Sequence, residues 1–233
     1  MTGRLLSCTL LVLIGPLLYG CAPTQFATIT IFETPAAFVR LETDRTVDPE
    51  RGHTHPAFLT PEQMAAVLSG IMIEEPLAKL PIYDDLSQPR RHPAFTEKEV
   101  SFFAPLLAAA LSKTTPEEVV TFYGTRALSG TSRAVTSGGL FVQAQELHFI
   151  LANYRSPTHY AGDIGVADTT DDRLTPMQSL APQRGRLDFD PVTAKREPRI
   201  SMFAKMFQWN RREVIVSYKL LPPRSLSQAG SIQ

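Results

Sequence analysis

Residues 146–154 read Glu-Leu-His-Phe-Ile-Leu-Ala-Asn-Tyr. In an extended chain, Leu147, Phe149 and Leu151 fall on one face, and Ile150, Ala152 and Tyr154 on the other. Apolar residues on both faces mark a strand buried on both sides, the centre of a sheet rather than its edge. Upstream, Ser132–Thr136 and Leu140–Gln143 share the period of two. The Ser137-Gly138-Gly139 stretch predicts a turn between them, and Ala144-Gln145 a tight connection into the central strand.

Working outward, Phe26–Phe32 alternates Ala27, Ile29 and Ile31 with Thr28 and Thr30, and Ala37–Leu41 follows a turn at Glu33-Thr34-Pro35. This is a second hairpin signal. Downstream, Leu187 and Phe189 alternate with charged residues, as do Val214, Val216, Tyr218 and Leu220 with Ile215, Ser217 and Lys219. Ile200–Trp209 is ambiguous, although Asn210-Arg211 favours a hairpin into the last strand.

Between these strand regions the period is 3.6. Thr60-Pro61-Glu62-Gln63, Thr96-Glu97-Lys98-Glu99 and Thr115-Pro116-Glu117-Glu118 all have the capping-box pattern, in which Thr and a Glu or Gln three residues on satisfy the unpaired N–H groups of a helix start. Apolar spacing follows each: Met64, Val67, Leu68, Ile71; Val100, Phe103, Ala104, Leu107, Leu111; Val119, Phe122, Tyr123. Pro105 is expected to kink or break the second helix. His55-Pro56-Ala57-Phe58 recurs as His92-Pro93-Ala94-Phe95. Two copies are too few for a repeat protein, and both precede a capping Thr, so they read as helix approaches with a hydrophobic staple. The expected fold is α+β, an antiparallel sheet of about five to seven strands with three helices on one side.

Ser156–Gly185 has four Asp, three Pro and no periodicity. A stretch of that length reads as a functional loop or an insertion. Tyr160, Ile164, Val166 and Leu174 are its candidate apolar contacts with a partner. Residues 222–233 read as a flexible tail, leaving 26–221 as a single domain.

The N-terminus carries a different signal. Arg4 precedes an apolar run from Leu5 to Leu18 that is too short to span a bilayer, and Leu18-Tyr19-Gly20-Cys21 follows. This resembles the lipobox of bacterial lipoprotein precursors. The resemblance implies removal of residues 1–20 as a signal peptide, acylation of Cys21, and residues 21–25 as lipidated Cys and tether. Ala22 and Pro23, in place of an Asp after the cysteine, imply the outer membrane, with the domain facing the periplasm.

The 233 residues are 43% apolar, which excludes disorder throughout and a collagen-like fibre. No run approaches the roughly 18 to 20 apolar residues of a spanning helix, so a polytopic membrane protein is excluded. Of 23 basic and 23 acidic groups, residues 1–20 hold one base, Arg4, and no acid, leaving 22 against 23 in a processed chain. No large basic excess calls for nucleic acid. Locally, residues 26–120 are net negative and 181–224 net positive. Arg184, Arg186, Arg196, Arg199, Arg211 and Arg212 would form a face for anionic headgroups or an acidic partner, or the two halves neutralise each other on folding; interleaved acids favour the second.

Motifs for nucleophilic Ser, phosphate-cradling loops, dinucleotide binding and paired C-x-x-C are absent from the sequence, and no cofactor or catalytic residue is assigned. His53-Thr54-His55 with His92 and Asp84-Asp85 is the one grouping that would suit a metal, through imidazole and carboxylate ligands. Asp163, Asp168, Asp171 and Asp172 lack the spacing of a calcium loop, and His148 lies within a strand. The expectation is a non-enzymatic binding or scaffold module of the envelope, attached to the membrane by lipid and meeting an envelope protein. The alternative is a small metal-dependent periplasmic hydrolase using His53, His55 and His92.

Overall fold

The computed structural model describes residues 27–47, 50–76, 89–128, 132–159, 172–183, 185–197 and 212–226. Among the described residues, ten strands form two antiparallel sheets: β1 (Ala27–Glu33), β2 (Ala37–Thr43), β3 (Ile71–Glu74), β4 (Arg91–Pro93), β5 (Glu118–Ala127), β6 (Ser132–Gln143), β7 (Glu146–His159), β8 (Arg186–Phe189), β9 (Lys195–Arg196) and β10 (Glu213–Val216). The large sheet runs β1-β2-β5-β6-β7-β10-β9 and the small one β4-β3-β8. The residues 146–154 that predict a buried strand do lie inside the large sheet, paired with β6 on one side and β10 on the other.

Two α-helices, α1 (Pro61–Gly70) and α2 (Glu97–Leu111), are present among the described residues. Both begin with complete capping boxes, at Thr60/Gln63 and Thr96/Glu99. Leu59 with Met64, and Phe95 with Val100, are buried in one core, as the staple requires. That core lies between the helices and one face of the large sheet, built from Val39, Leu41, Phe122, Leu140, Val142, Leu147, Phe149, Leu151 and Val214. Phe122 and Phe149 stack obliquely with centroids 5.5 Å apart, and Phe103 of α2 meets Phe122 at 5.7 Å.

The expectation of three helices is corrected to two. Thr115 and Glu118 do bond to each other, Thr115 N–H to Glu118 Oε2 at 2.9 Å and Glu118 N–H to Thr115 O at 3.1 Å, but they close a turn that opens β5. Val119-Val120-Thr121-Phe122-Tyr123 is a β-branched and aromatic run, and it is buried on both sides: Val119 and Tyr123 on one face, Val120 and Phe122 on the other.

The Gly138-Gly139 turn is also corrected: β6 passes straight through it. A Cβ at Gly138 would lie 2.0 Å from the Ile150 carbonyl oxygen, and one at Gly139 2.9 Å from Met177 Sδ. The glycines admit a close strand and a covering side chain rather than reverse the chain. The helix α2 runs through Pro105 without a break, because Phe103, Ala104, Leu107 and Ala108 are all buried around it. The last strand stops at Val216, and Tyr218–Leu220 is a 3₁₀ turn. Ile200–Trp209 lies outside the described residues.

Ser156–Gly185 is not one structureless loop. Ser156–His159 belongs to β7, pairing with Ser132–Val135. Residues 172–183 form a strap across the second face of the large sheet. Asp172 accepts from Tyr123 Oη at 3.0 Å and Arg133 Nη2 at 2.8 Å. Ser137 Oγ donates to Pro176 O at 2.7 Å, and Asn153 donates from Nδ2 to Gln178 O at 2.7 Å and accepts at Oδ1 from Leu180 N–H at 2.8 Å. The acidic and basic halves meet: Glu74 pairs with Arg186 and Glu97 with Arg224. Such exposed pairs are screened by solvent and add little, so they are a consequence of the fold more than its cause.

Candidate functional site

Away from the strap, buried polar residues gather in two places, one on the sheet face opposite the helices and one beside the small sheet. The first surrounds Phe141 of β6. Segment 52–55 runs beside the end of that strand: Thr54 N–H donates to Val142 O at 2.8 Å, and Ala144 N–H to Thr54 Oγ1 at 2.8 Å. Gly52 makes the approach possible, with φ +58° and a would-be Cβ 2.7 Å from Pro116 Cβ. His53 then stacks on Phe141 at 4.2 Å, and His148, opposite Phe141 in the β6–β7 register, stacks on it at 4.6 Å.

Each imidazole has its own acid. His53 Nε2–H donates to Asp44 Oδ2 at 3.0 Å, and His148 Nδ1–H to Glu213 Oε1 at 2.7 Å. Burial works to raise the pKa of Asp44, but the bonds from His53 and Thr46 outweigh it and hold the carboxyl well below the usual range. Nearby Glu42 shows the opposite balance: burial raises its pKa, only partly offset by the Thr121 hydroxyl. His53 Nδ1 is buried and has no hydrogen-bond partner among the described residues.

His55 lies 5.4 Å from His53, ring to ring, yet it is structural. Its Nε2 accepts from Val142 N–H at 2.9 Å, so its Nδ1 carries the hydrogen that faces Thr115 O at 3.2 Å. Both nitrogens are occupied in the neutral form, and burial depresses the pKa to about 4.

The second place joins the two sheets. His92 of β4 donates from Nδ1 to Pro89 O at 2.8 Å and accepts at Nε2 from Tyr154 Oη at 3.0 Å. Gln183 Oε1 accepts from both Tyr154 N–H, at 3.0 Å, and Arg212 Nη1, at 3.1 Å. His92 therefore answers to Tyr154 and the small sheet, and His53 and His55 to the end of β6. Among the described residues, no three His, Cys, Asp or Glu side chains are grouped to hold a metal ion.

Leu174 is 47% exposed on the strap. Cys21, Asp84, Asp85, Tyr160, Ile164, Val166, Asp163, Asp168 and Asp171 lie outside the described residues. Asp172, in sequence one of a group of acids, is a buried anchor of the strap. Sequence reasoning missed Asp44, and also Asn153 and the buried setting of Arg212, the last two with partners distant in the chain. The two copies of His-Pro-Ala-Phe diverge at their ends, Phe58 being 77% exposed and Phe95 4%.

No protein family model, curated protein or solved structure matches the chain.

Proposed function

We propose that the chain is an envelope lipoprotein, acylated at Cys21 and held at the periplasmic side of the outer membrane, whose α+β domain is a non-enzymatic binding module for an envelope protein. The observation that carries this reading is Leu18-Tyr19-Gly20-Cys21 behind a short apolar run with Arg4 ahead of it. The place of β1 in the chain supports it, since that strand starts at Ala27, close behind Cys21. A tether of Ala22 to Gln25, extended at about 3.3 to 3.6 Å per residue, reaches about 14 Å, which keeps the domain at the bilayer.

The histidines support a binding module over a hydrolase. His55 and His92 spend both ring nitrogens on holding backbone and Tyr154 in place. Leu174, with Tyr160, Ile164 and Val166 beside it in sequence, is the contact surface this reading assigns to the partner.

Fractionation with mass analysis tests the anchor: Cys21→Ala is expected in the soluble fraction without acyl mass, and membrane-bound protein of wild-type mass would refute it. Replacing only 160–171 by a Gly-Ser linker, with the 172–183 strap kept, tests the contact surface. Retention of every crosslinked envelope partner would sink it.

A further inference from the structure

Arg212 lies just ahead of β10, its carbonyl accepting from Leu151 N–H at 2.9 Å. Nη1 donates to Gln183 Oε1. The opposite edge of the guanidinium, Nε and Nη2, is buried and has no hydrogen-bond partner among the described residues. Those two N–H groups point in parallel and form the fork that Arg uses to grip two oxygens of one anion. A native fold leaves few buried donors unpaired, and an unpaired edge on a buried cation is among the most costly of them.

The neighbours define what fits. Because His92 Nδ1 gives its hydrogen to Pro89 O, Nε2 accepts from Tyr154, and the Tyr154 oxygen turns only lone pairs elsewhere. The Gln183 amide nitrogen is spent on Ser156 Oγ at 2.7 Å and Ala181 O at 2.9 Å. Among the described residues, Tyr154 and Gln183 thus offer this edge no donor, and the two on Arg212 are open. Burial lowers the Arg212 pKa, opposed by the charge of Glu75 nearby. Two parallel donors beside a negative side chain suit a singly charged, planar oxyanion better than a doubly charged tetrahedral one.

We propose that the Nε/Nη2 edge of Arg212, between Tyr154 and Gln183, is a carboxylate-binding site, taking the carboxylate of a small organic acid or of a peptide C-terminus. It gives the binding-module reading a ligand chemistry, and it does not depend on the anchor at Cys21.

The test uses the full chain in detergent, titrated with acetate, with phosphate, with N-acetyl-trialanine and with the amide of that peptide, all against chloride at matched ionic strength. A saturable rise in Tm with acetate or the free-carboxyl peptide, and none with the amide, is expected. The peptide binding at least tenfold tighter than acetate identifies a chain terminus; comparable or weaker binding identifies a small acid. Arg212→Lys keeps the charge and loses the fork, so its apparent affinity is expected to fall at least tenfold. Since a variant can fail to fold, the Nε–Hε resonance of Arg212 in arginine-labelled wild-type protein is read as well, and it is expected to shift with acetate. No response beyond chloride in either readout, Arg212→Lys binding as tightly as wild type, or phosphate binding tenfold tighter than acetate would each overturn the assignment.

Discussion

Replacing Asn153 by Leu removes the clamp between the large sheet and the strap while nearly conserving volume. Asn153 is 1% exposed, and its amide makes three bonds: Nδ2–H to Ser137 Oγ at 3.0 Å and Gln178 O at 2.7 Å, and Oδ1 from Leu180 N–H at 2.8 Å. At about 1 kcal/mol net per bond the loss is about 3 kcal/mol. Ser137 keeps its bond to Pro176 O, and Leu180 is 38% exposed, so its freed N–H reaches water and adds little. For a chain of this size that corresponds to a fall in Tm of roughly 6 to 12 °C. Urea denaturation should show a lower midpoint at unchanged slope, and hydrogen exchange should speed at the Leu180 amide, whose bonded partner is the deleted oxygen. Asn153→Asp is the isosteric control: it keeps the acceptor for Leu180 but sets a carboxylate oxygen against the Gln178 carbonyl, so its destabilisation should grow with pH. A loss under about 1 kcal/mol for Asn153→Leu, or a Leu180 amide protected as in wild type, would refute the claim that side-chain bonds hold the strap.

Acid should destabilise the fold through His55, whose pKa falls from 6.5 to about 4 on folding. The unfolded chain then binds the extra proton, so stability is complete above pH 6.5 and is lost as pH falls towards 4, by about 3 kcal/mol in all; Tm against pH for wild type and His55→Gln checks this, and identical curves would contradict it. Glu42 runs the other way, its raised pKa giving stability that is present below 4.5 and lost as pH rises, so Glu42→Gln should melt higher than wild type at neutral pH. Thr60→Ala and Thr96→Ala should each cost about 1 kcal/mol as lost caps, whereas Thr115→Ala, at a strand-opening turn, should cost less than about half of that. Gly138→Ala should leave little folded protein, since its Cβ would meet the Ile150 carbonyl at 2.0 Å; a soluble variant with wild-type Tm would mean that β6 and β7 are spaced more widely than described.

What the sequence disclosed depended on how local the determining physics is. A capping box is settled within four residues, and at Thr60 and Thr96 it was read correctly. At Thr115 the same four-residue pattern was present, but the outcome was decided by β2 and β6, which pair with β5 on either side. The spacing of Val119, Phe122 and Tyr123 mimicked a helical stripe only because a doubly buried strand is apolar at nearly every position. The glycine pair misled for a related reason. Gly138 and Gly139 are required by Ile150 and Met177, residues 12 and 38 positions further along, and nothing adjacent to them distinguishes that need from a turn. The candidate site was less legible still: the His-x-His pattern was visible, but Asp44, Phe141 and Glu213, which give His53 and His148 their settings, come from other strands and loops.

The distribution of polar groups also constrains where a ligand can enter. Under the strap, Tyr123, Ser137 and Asn153 already have their partners in Asp172, Pro176, Gln178 and Leu180. A ligand sliding beneath would have to replace each of these bonds with equal geometry merely to break even, because a buried polar group left unpaired costs about 1 to 3 kcal/mol. At Arg212 the exchange runs in the other direction, since a fork that is already buried and unmatched loses nothing when an anion arrives. Leu174 similarly gives up only water when covered. Binding is therefore favoured at the exposed side of the strap and at the Arg212 edge beside Gln183, and the strap itself belongs with the structural part of the domain.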